Sequence, residues 1–572
     1  MRLPPYFKTS IVAIVLFVSL LIIKGFQETS IAKKEALPIP DTEQVNDDPS
    51  EPLIEDKRVY DGHNLELKHV YITIFDQGTV PGNDISFYDL NESYKEYSNL
   101  DSGPNLDILF QSGTEDGPSD NGFLSAGSDV PNATIELRGR SSRLEAQKSY
   151  KIRLQDNGGL WYGQKVINLN KHADDQTRVR NKLAFDYFKK IPNTISLRTD
   201  FVQLHVKDLT NSSSDKEFVD YGLYTHIEQL NDEALAARGL NPDGHLYKAE
   251  NFEFYRYPEQ LKLSDDATYE KKVFESILKI NGSENHEELL TMLEDVNDVS
   301  KPFDQVFKTY FNEDNYLTWL ALNIMFGNYD TMSTNYYLYS PLNSDKWYFI
   351  PWDFDKALGR DLEMTSSLPD WQLGIQRYWG TVLHKRYLRD PQNVEKLTAK
   401  IEEISGIVNE ETTKGMIDQY YPLVKAFVLN KPDLTYLKIE ANQYDTFYKR
   451  LETITTRNKD LYYESIERPM PIFLHYERKN DQDTFAWDVS HDLQGDSLTY
   501  HFQLSSDPDF KHSITDVSNA KNFSFELDPL PSGRYYWRVL VEDGNGHEQI
   551  PFDYYRDNEK RVHWGVQEII IP

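Results

Sequence analysis

Alternating and continuous apolar stretches divide the chain into three kinds of segment. Leu65 to Phe75 is rich in apolar and β-branched residues and predicts a strand. Further strands are predicted at 133–138, 148–154, 201–206 and 221–228. In the second of these, alternation puts Lys148, Tyr150, Ile152 and Leu154 on one face and Ser149, Lys151 and Arg153 on the other. The Gly-, Ser-, Asp- and Asn-rich stretch 76–129 offers few convincing elements and reads as a functional or mobile insertion. Val179, Leu183, Ala184, Tyr187 and Phe188 follow helical spacing, with Asp174 or Asp175 as the cap and Ile191-Pro192 as the stop. That helix carries no glutamate, and Asp186 is its only interior acid. Beyond a hinge at 229–232, helical patterns dominate. The clearest is Asp314–Phe326, apolar nearly all round and therefore buried, with others at 391–407 and 441–465. Arg468-Pro-Met-Pro471 marks a boundary. After it, short alternating strands at 484–487, 498–504, 522–525 and 533–540 predict a β-sandwich with Trp487, Tyr500 and Trp537 in its core.

Composition narrows the possible functions. The 572 residues carry 92 acids against 61 bases, a formal charge of −31. Phosphate-backbone binding needs a basic footprint, so nucleic acid is excluded as a partner. The absence of cysteine removes disulfides, zinc-thiolate sites and cysteine nucleophiles. Ile11–Ile23 is an uncharged run, apolar except for Ser19, flanked by Arg2, Lys8 and Lys24, and no clear cleavage site follows it. The expectation is an uncleaved signal anchor over 1–26 that tethers extracytoplasmic domains to the cell membrane, the alternative being a protein secreted after cleavage. An acidic, proline-containing stalk follows over 27–60.

Candidate chemistry concentrates between Asp330 and Asp355. Asp330 precedes Asn335 by five positions; a short hairpin then returns to Pro351-Trp-Asp353-Phe-Asp355. An Asp-x4-Asn, a strand, a turn, a strand and an Asp-Phe-Asp are the parts of a phosphoryl-transfer site in chain order. In such sites one Asp accepts the substrate hydroxyl proton, and the Asn and a second Asp hold magnesium. Pairing Ser340 with Lys346 would set Asn335 opposite Pro351, and strand periodicity would point Asp353 and Asp355 to one face. Upstream, the strand ending at Arg138 runs into Gly139-Arg-Ser-Ser-Arg143, a small-residue, basic loop able to approach nucleotide phosphates closely. Glu228 ends a strand before the hinge; it would replace the missing helix glutamate, meet an adenine edge, or serve as a plain strand-end carboxylate.

Leu137–Ser142, Lys148–Arg153, Tyr221–Gln229, Leu246–Lys248, Gly327–Asp330, Asn335–Tyr339 and Trp347–Asp355 together resemble the spore-coat CotH-type kinase family. That resemblance covers about residues 65–466. It implies an α+β, atypical protein-kinase-like two-lobe fold, with a β-rich N-lobe and a helical C-lobe over 61–467. It also implies transfer of phosphate from ATP to Ser or Thr of surface or coat proteins, with Mg²⁺ or Mn²⁺. Carried over by position, Asp330 is the catalytic aspartate and Asn335 and Asp353 are metal ligands. Lys148 is the phosphate-binding lysine, with Lys151 competing and Arg138 on the same nucleotide-side hairpin. Asp355 replaces the glycine of Asp-Phe-Gly and adds a further candidate ligand. Asp528-Pro-Leu-Pro-Ser-Gly533 before an aromatic strand resembles the fibronectin type III pattern, giving a β-sandwich over 468–572 suited to a cell-surface or coat partner. Two other classes compete: a catalytically silent surface-binding protein, and a glycosyltransferase using Asp353-Phe-Asp355. The lack of a parallel βαβ nucleotide-sugar region counts against the latter.

Overall fold

The computed structural model describes residues 52–63, 65–95, 103–119, 130–211, 216–342, 344–364, 367–479 and 482–572. The apolar run at 11–23 lies outside them; among the described residues no helix is long and apolar enough to cross a membrane. The stalk expected to reach residue 60 ends earlier. Leu53 and Val59 are buried, and the Leu53 N–H donates to Asn193 Oδ1 at 2.6 Å.

Eight strands form the first sheet: β1 (Lys68–Ile74), β2 (Asn105–Thr114), β3 (Gly117–Pro118), β4 (Ala133–Arg138), β5 (Ser149–Leu154), β6 (Val166–Asn170), β7 (Thr199–Asp208) and β8 (Val219–Glu228). Their order is β1-β7-β8-β6-β5-β4-β2-β3, and β1 also pairs β2, so seven strands close into a ring. Closure follows from alternation: Val70, Ile72, Ile74, Leu106, Ile108, Phe110, Ile135, Ile152, Leu169 and Leu204 fill one shared interior. β2 corrects the reading of 76–129 as largely structureless. Ten of those residues form a central strand, and Phe87–Glu92 forms a helix, α1, closed by a Ser86–Asp89 capping box. The predicted alternation in β5 is observed from Tyr150 onward, with Tyr150, Ile152 and Leu154 buried and Lys151 and Arg153 more exposed, whereas Ser149 at the strand start is also buried. β6 was not anticipated; it pairs with both β5 and β8.

Helix α2 (Arg180–Phe188) is buried almost all round. Its cap differs from the expectation. Val179 holds the cap position, while the Asp175 carboxylate accepts from the Thr177 and Arg180 N–H groups at 2.9 and 3.1 Å. A second sheet, β9 (His245–Ala249), β10 (Leu278–Ile280), β11 (Tyr336–Ser340) and β12 (Tyr348–Pro351), runs in the order β10-β9-β11-β12. Helix α3 (Glu313–Phe326) shares its apolar core, with Trp319, Tyr336 and Phe349 in ring contact. Helices α4 (Pro391–Ser405), α5 (Glu410–Val428) and α6 (Leu451–Ile466) complete that core; the expected helix 441–465 is split, with Tyr444–Lys449 separate from α6.

The β11–β12 register is one residue away from the expected one. Tyr336 faces Pro351 and Tyr339 faces Tyr348. The reason is competition for the strand start: the Trp347 N–H donates to the Tyr310 carbonyl at 2.7 Å and Trp347 bridges Phe311, so pairing with β11 begins only at Tyr348. Continued by one step, this register sets Asn335 opposite Trp352, beside Asp353.

After α6 the chain becomes all strand. β13 (Leu474–Lys479), β14 (Gln482–Trp487) and β17 (Ser524–Leu527) form one sheet; β15 (Thr499–Ser505), β16 (Ser513–Ala520) and β18 (Gly533–Glu542) form the body of another. Residues of both sheets, including Trp487, Tyr500 and Trp537, share one apolar core. This region abuts the helical part: His491 stacks on Trp379 with ring centroids 5.3 Å apart, and Phe552 meets Trp371 at 4.9 Å.

Candidate active site

The loop carrying Asp330 leaves α3 through Gly327, whose φ of +59° supplies the left-handed cap. Asn328 then ties the Asp330 loop to the turn that carries Asp353. Its Nδ2 donates to Asn323 Oδ1 at 3.1 Å and to the Asp353 carbonyl at 3.4 Å, while its Oδ1 accepts from the Asp330 N–H at 3.2 Å. The Asn335 amide closes the loop, donating to the Asp330 carbonyl at 2.9 Å and to its Oδ2 at 3.0 Å. Among the described residues no hydrogen bond engages the remaining oxygen of each side chain, Asp330 Oδ1 and Asn335 Oδ1.

Asn335 and Asp353 both have positive φ, +61° and +54°. Asparagine and aspartate tolerate that region better than other non-glycine residues, and such positions persist where surrounding structure fixes them. For Asp353 this corrects an expectation. β12 ends at Pro351, so Asp353 and Asp355 lie on a turn, and strand periodicity does not govern their direction. The turn is fixed from α2 instead. Asn181 Oδ1 accepts from the Phe354 N–H at 2.8 Å, and its Nδ2 reaches Asp353 Oδ1 at 3.4 Å. Phe354 is fully buried among Phe185, Phe188 and Phe326, which anchors the acids on either side of it.

The electrostatics reflect crowded like charges. Burial, then the Asp353 carboxylate, raise the Asp330 carboxyl above its ordinary pKa, with Arg377, Lys356 and the Asn335 hydrogen bond acting against them. Burial and Asp353 likewise push the Asp355 carboxyl well above the usual carboxylate range, with Lys356 opposing. Arg138 is the basic residue across the site. Its guanidinium lies over the Trp352 ring at 5.6 Å and bonds Asn170 Oδ1. Burial lowers its pKa, while Asp353 foremost, then Tyr337 and Asp355, act in the other direction. His172, held at φ +49°, has its neutral form favoured by burial, pushing its pKa down to about 4, with Asp175 and Asp353 opposing.

The structure therefore gathers Asp330, Asn335, Asp353, Asp355 and Arg138. Three other expected residues lie elsewhere. Lys148 donates from Nζ to the Arg143 carbonyl at 2.7 Å and sits over the Tyr94 ring at 4.1 Å, with Glu92 and Glu145 as the acids that act on its charge. The turn Ser141–Leu144 offers that carbonyl and draws the lysine back onto its own hairpin. Lys151 pairs with Glu136 on the neighbouring strand at 3.3 Å. Glu228 is fully buried between Arg198 and Arg238, in an ion cluster that engages both of its oxygens. Sequence reasoning missed Asn181, Asn328, Lys356, Arg377 and His172. Asn328 and Lys356 flank the motif and were open to notice; the others arrive from distant elements and carry no local signal.

Comparisons with known proteins identify the family of the chain. The CotH kinase protein family model matches residues 135–461, more than half of the chain. Inner spore coat protein H of Bacillus subtilis (strain 168) is 28% identical over 319 residues, which is 54% of this chain and 81% of that protein. The structure of the Helicobacter pylori proinflammatory kinase CtkA aligns over 55% of this chain and 91% of its own, at 9% identity and a TM-score of 0.23, a likeness that carries no argument. On the extent of the family match, the chain belongs to the CotH kinase protein family.

Proposed function

We propose that this protein is an exported, membrane-tethered atypical protein kinase that transfers the γ-phosphate of ATP to Ser or Thr hydroxyls of surface or spore-coat-type proteins. The observation that carries the reading is the shared network of Asp330, Asn335 and Asp353, with two of the three at positive φ and Arg138 opposite. The tether rests on the apolar run at 11–23, and the β-sandwich over 468–572, fibronectin type III-like in its turn pattern, is assigned to a surface or coat partner.

The donor set fits a hard divalent cation. It offers Asp353, Asp355 and the free Asn335 Oδ1, all oxygens, in a chain without cysteine. Mg²⁺ or Mn²⁺ held there would neutralise charge on the phosphates. Asp330 keeps Oδ2 on Asn335 and presents Oδ1 to the acceptor hydroxyl. As the hydroxyl oxygen attacks the γ-phosphorus and the bond to ADP breaks, the hydroxyl proton passes to that oxygen. Arg138 is placed to meet phosphate oxygens, a bidentate role its planar guanidinium suits. Asn181 and Asn328 are positioning residues that hold Asp353 and the Asp330 loop in register.

A second reading, a surface-binding protein that keeps the fold without turnover, is favoured by one observation: neither Lys148 nor Lys151 sits with the acids. Thermal unfolding with ligands tests the nucleotide assignment. ATP with Mn²⁺ should raise Tm, since a ligand at 100 times its Kd adds about 2.7 kcal/mol. Stabilisation by UDP-sugars with none from ATP would overturn it in favour of a glycosyltransferase.

A further inference from the structure

Outside the kinase site, three carboxylates meet at one end of the C-terminal sheets. Asp492 and Asp496 lie in the loop entering β15, and Asp543 directly follows β18. The two strands pair with Thr499 opposite Glu542, so the loop and the turn are neighbours. One ligand atom from each acid lies within 4.8 Å of the others.

The hydrogen bonds account for only part of each carboxylate. Asp492 Oδ1 accepts from the Gln494 and Asp496 N–H groups at 3.0 and 2.9 Å. Its Oδ2 is buried and has no hydrogen-bond partner, on a residue only 6% exposed. Asp543, also 6% exposed, accepts on Oδ1 from the Asn545 and His547 N–H groups, both at 2.8 Å, and faces His547 Nδ1 with Oδ2. Asp496 Oδ2 accepts from Asn545 Nδ2 at 2.6 Å. Among the described residues no lysine or arginine pairs with any of the three. Two other buried acids of the chain do have such partners, Asp483 with Arg478 and Asp433 with Lys171, while the fully buried Asp200 is paired with His63 and His226. A buried carboxylate oxygen without donor or counter-ion is costly, and two more carboxylates beside it add repulsion.

We propose that Asp492, Asp496 and Asp543 bind a calcium ion that pins the 492–496 loop to the 543–547 turn. The chemistry selects the ion. Every ligand here is a carboxylate oxygen held on a loop or turn, and calcium takes six to eight oxygens at about 2.3–2.6 Å in irregular geometry, whereas magnesium at about 2.1 Å demands a near-octahedral set and keeps several waters. His547 is engaged by Asp543 and no thiol exists, which disfavours zinc. Calcium here would also brace the junction with the helical region, because His491 stacks on Trp379 and Gln494 Nε2 donates to the Ile466 carbonyl at 2.9 Å.

The test titrates the full chain with CaCl₂ by calorimetry in an Asp353→Asn background, which weakens the kinase metal site. Adding Asp496→Asn should remove one bound calcium per chain, and equal stoichiometry in both proteins overturns the proposal. Limited proteolysis of the wild-type chain guards against a misfolded variant. Calcium, and not the same concentration of magnesium, should protect the Gly495 and Gly544–Gly546 loops at least tenfold; cleavage rates indifferent to calcium would likewise overturn it.

Discussion

Replacing Glu228 by glutamine should lower the stability of the fold while leaving nucleotide affinity intact. Glu228 is 0% exposed. Its Oε1 receives Arg198 Nε at 2.8 Å and Arg238 Nη1 at 3.0 Å, and its Oε2 receives the Arg198 N–H at 3.0 Å. Glu55 adds a second acid, 3.3 Å from Arg238 Nε. Glutamine keeps the shape but leaves two buried guanidiniums short of one negative charge, a loss on the order of 3–5 kcal/mol. With an unfolding entropy of about 2.1 cal/mol/K per residue over roughly 300 cooperative residues, that corresponds to a Tm lower by about 5–8 °C. The pH dependence has a fixed sign. Burial raises the Glu228 carboxyl, but Arg238 and then Arg198 outweigh it and hold it far below the usual range. A depressed carboxylate contributes stability above its unfolded pKa of about 4.3 and loses it as the pH falls toward the folded value. The gap between wild type and variant should therefore be constant above about pH 5 and shrink below about pH 4. Circular-dichroism melting across pH, with KM for ATP measured at neutral pH, reads both quantities. An unchanged Tm with a raised KM would refute the structural role and return Glu228 to the nucleotide.

Arg138→Ala should raise KM for ATP by about 10–100-fold, the scale of a charge-assisted hydrogen bond, while Lys148→Ala stays within about twofold; steady-state kinetics showing the reverse order would restore the lysine. Asn181→Ala removes the acceptor of the Phe354 N–H and should cost about 1–3 kcal/mol in denaturant unfolding. Its kcat should fall more than its KM rises, because Asp353 loses its orienting partner; a purely structural residue would leave kcat per folded molecule unchanged. Gly327→Ala puts a Cβ 2.6 Å from Asn458 Nδ2 in a left-handed conformation and should destabilise by at least about 1–2 kcal/mol, seen as a lower denaturant midpoint.

What the sequence made legible was local. Asp314–Phe326 reads as a buried helix because apolar residues surround it, and the core of the final sheets is visible in the spacing of Trp487, Tyr500 and Trp537. The Asp330-to-Asp355 block is legible for the same reason, since its parts are consecutive. Matters settled by distant segments were not. The β11–β12 register depends on Tyr310 capturing Trp347, and the fate of Lys148 on a carbonyl offered by its own loop. In the sequence, Glu228 is a strand-end carboxylate with several open roles, and its ion cluster forms only when Arg198 and Arg238 arrive from either side of it in sequence. Periodicity cannot report which buried charges meet. Strand β2 escaped notice because the Gly/Ser/Asp-rich sequence around it dilutes its alternation.

The central claim is phosphoryl transfer at the Asp330–Asp353 network, and incubation with γ-labelled ATP and Mn²⁺ tests it most directly. The wild-type chain should incorporate label into itself or an added Ser/Thr-containing acceptor. Asp330→Ala and Asp353→Asn should each lose that transfer by about two orders of magnitude or more, with melting temperatures close to wild type. Label transferred equally by wild type and both variants would contradict the account.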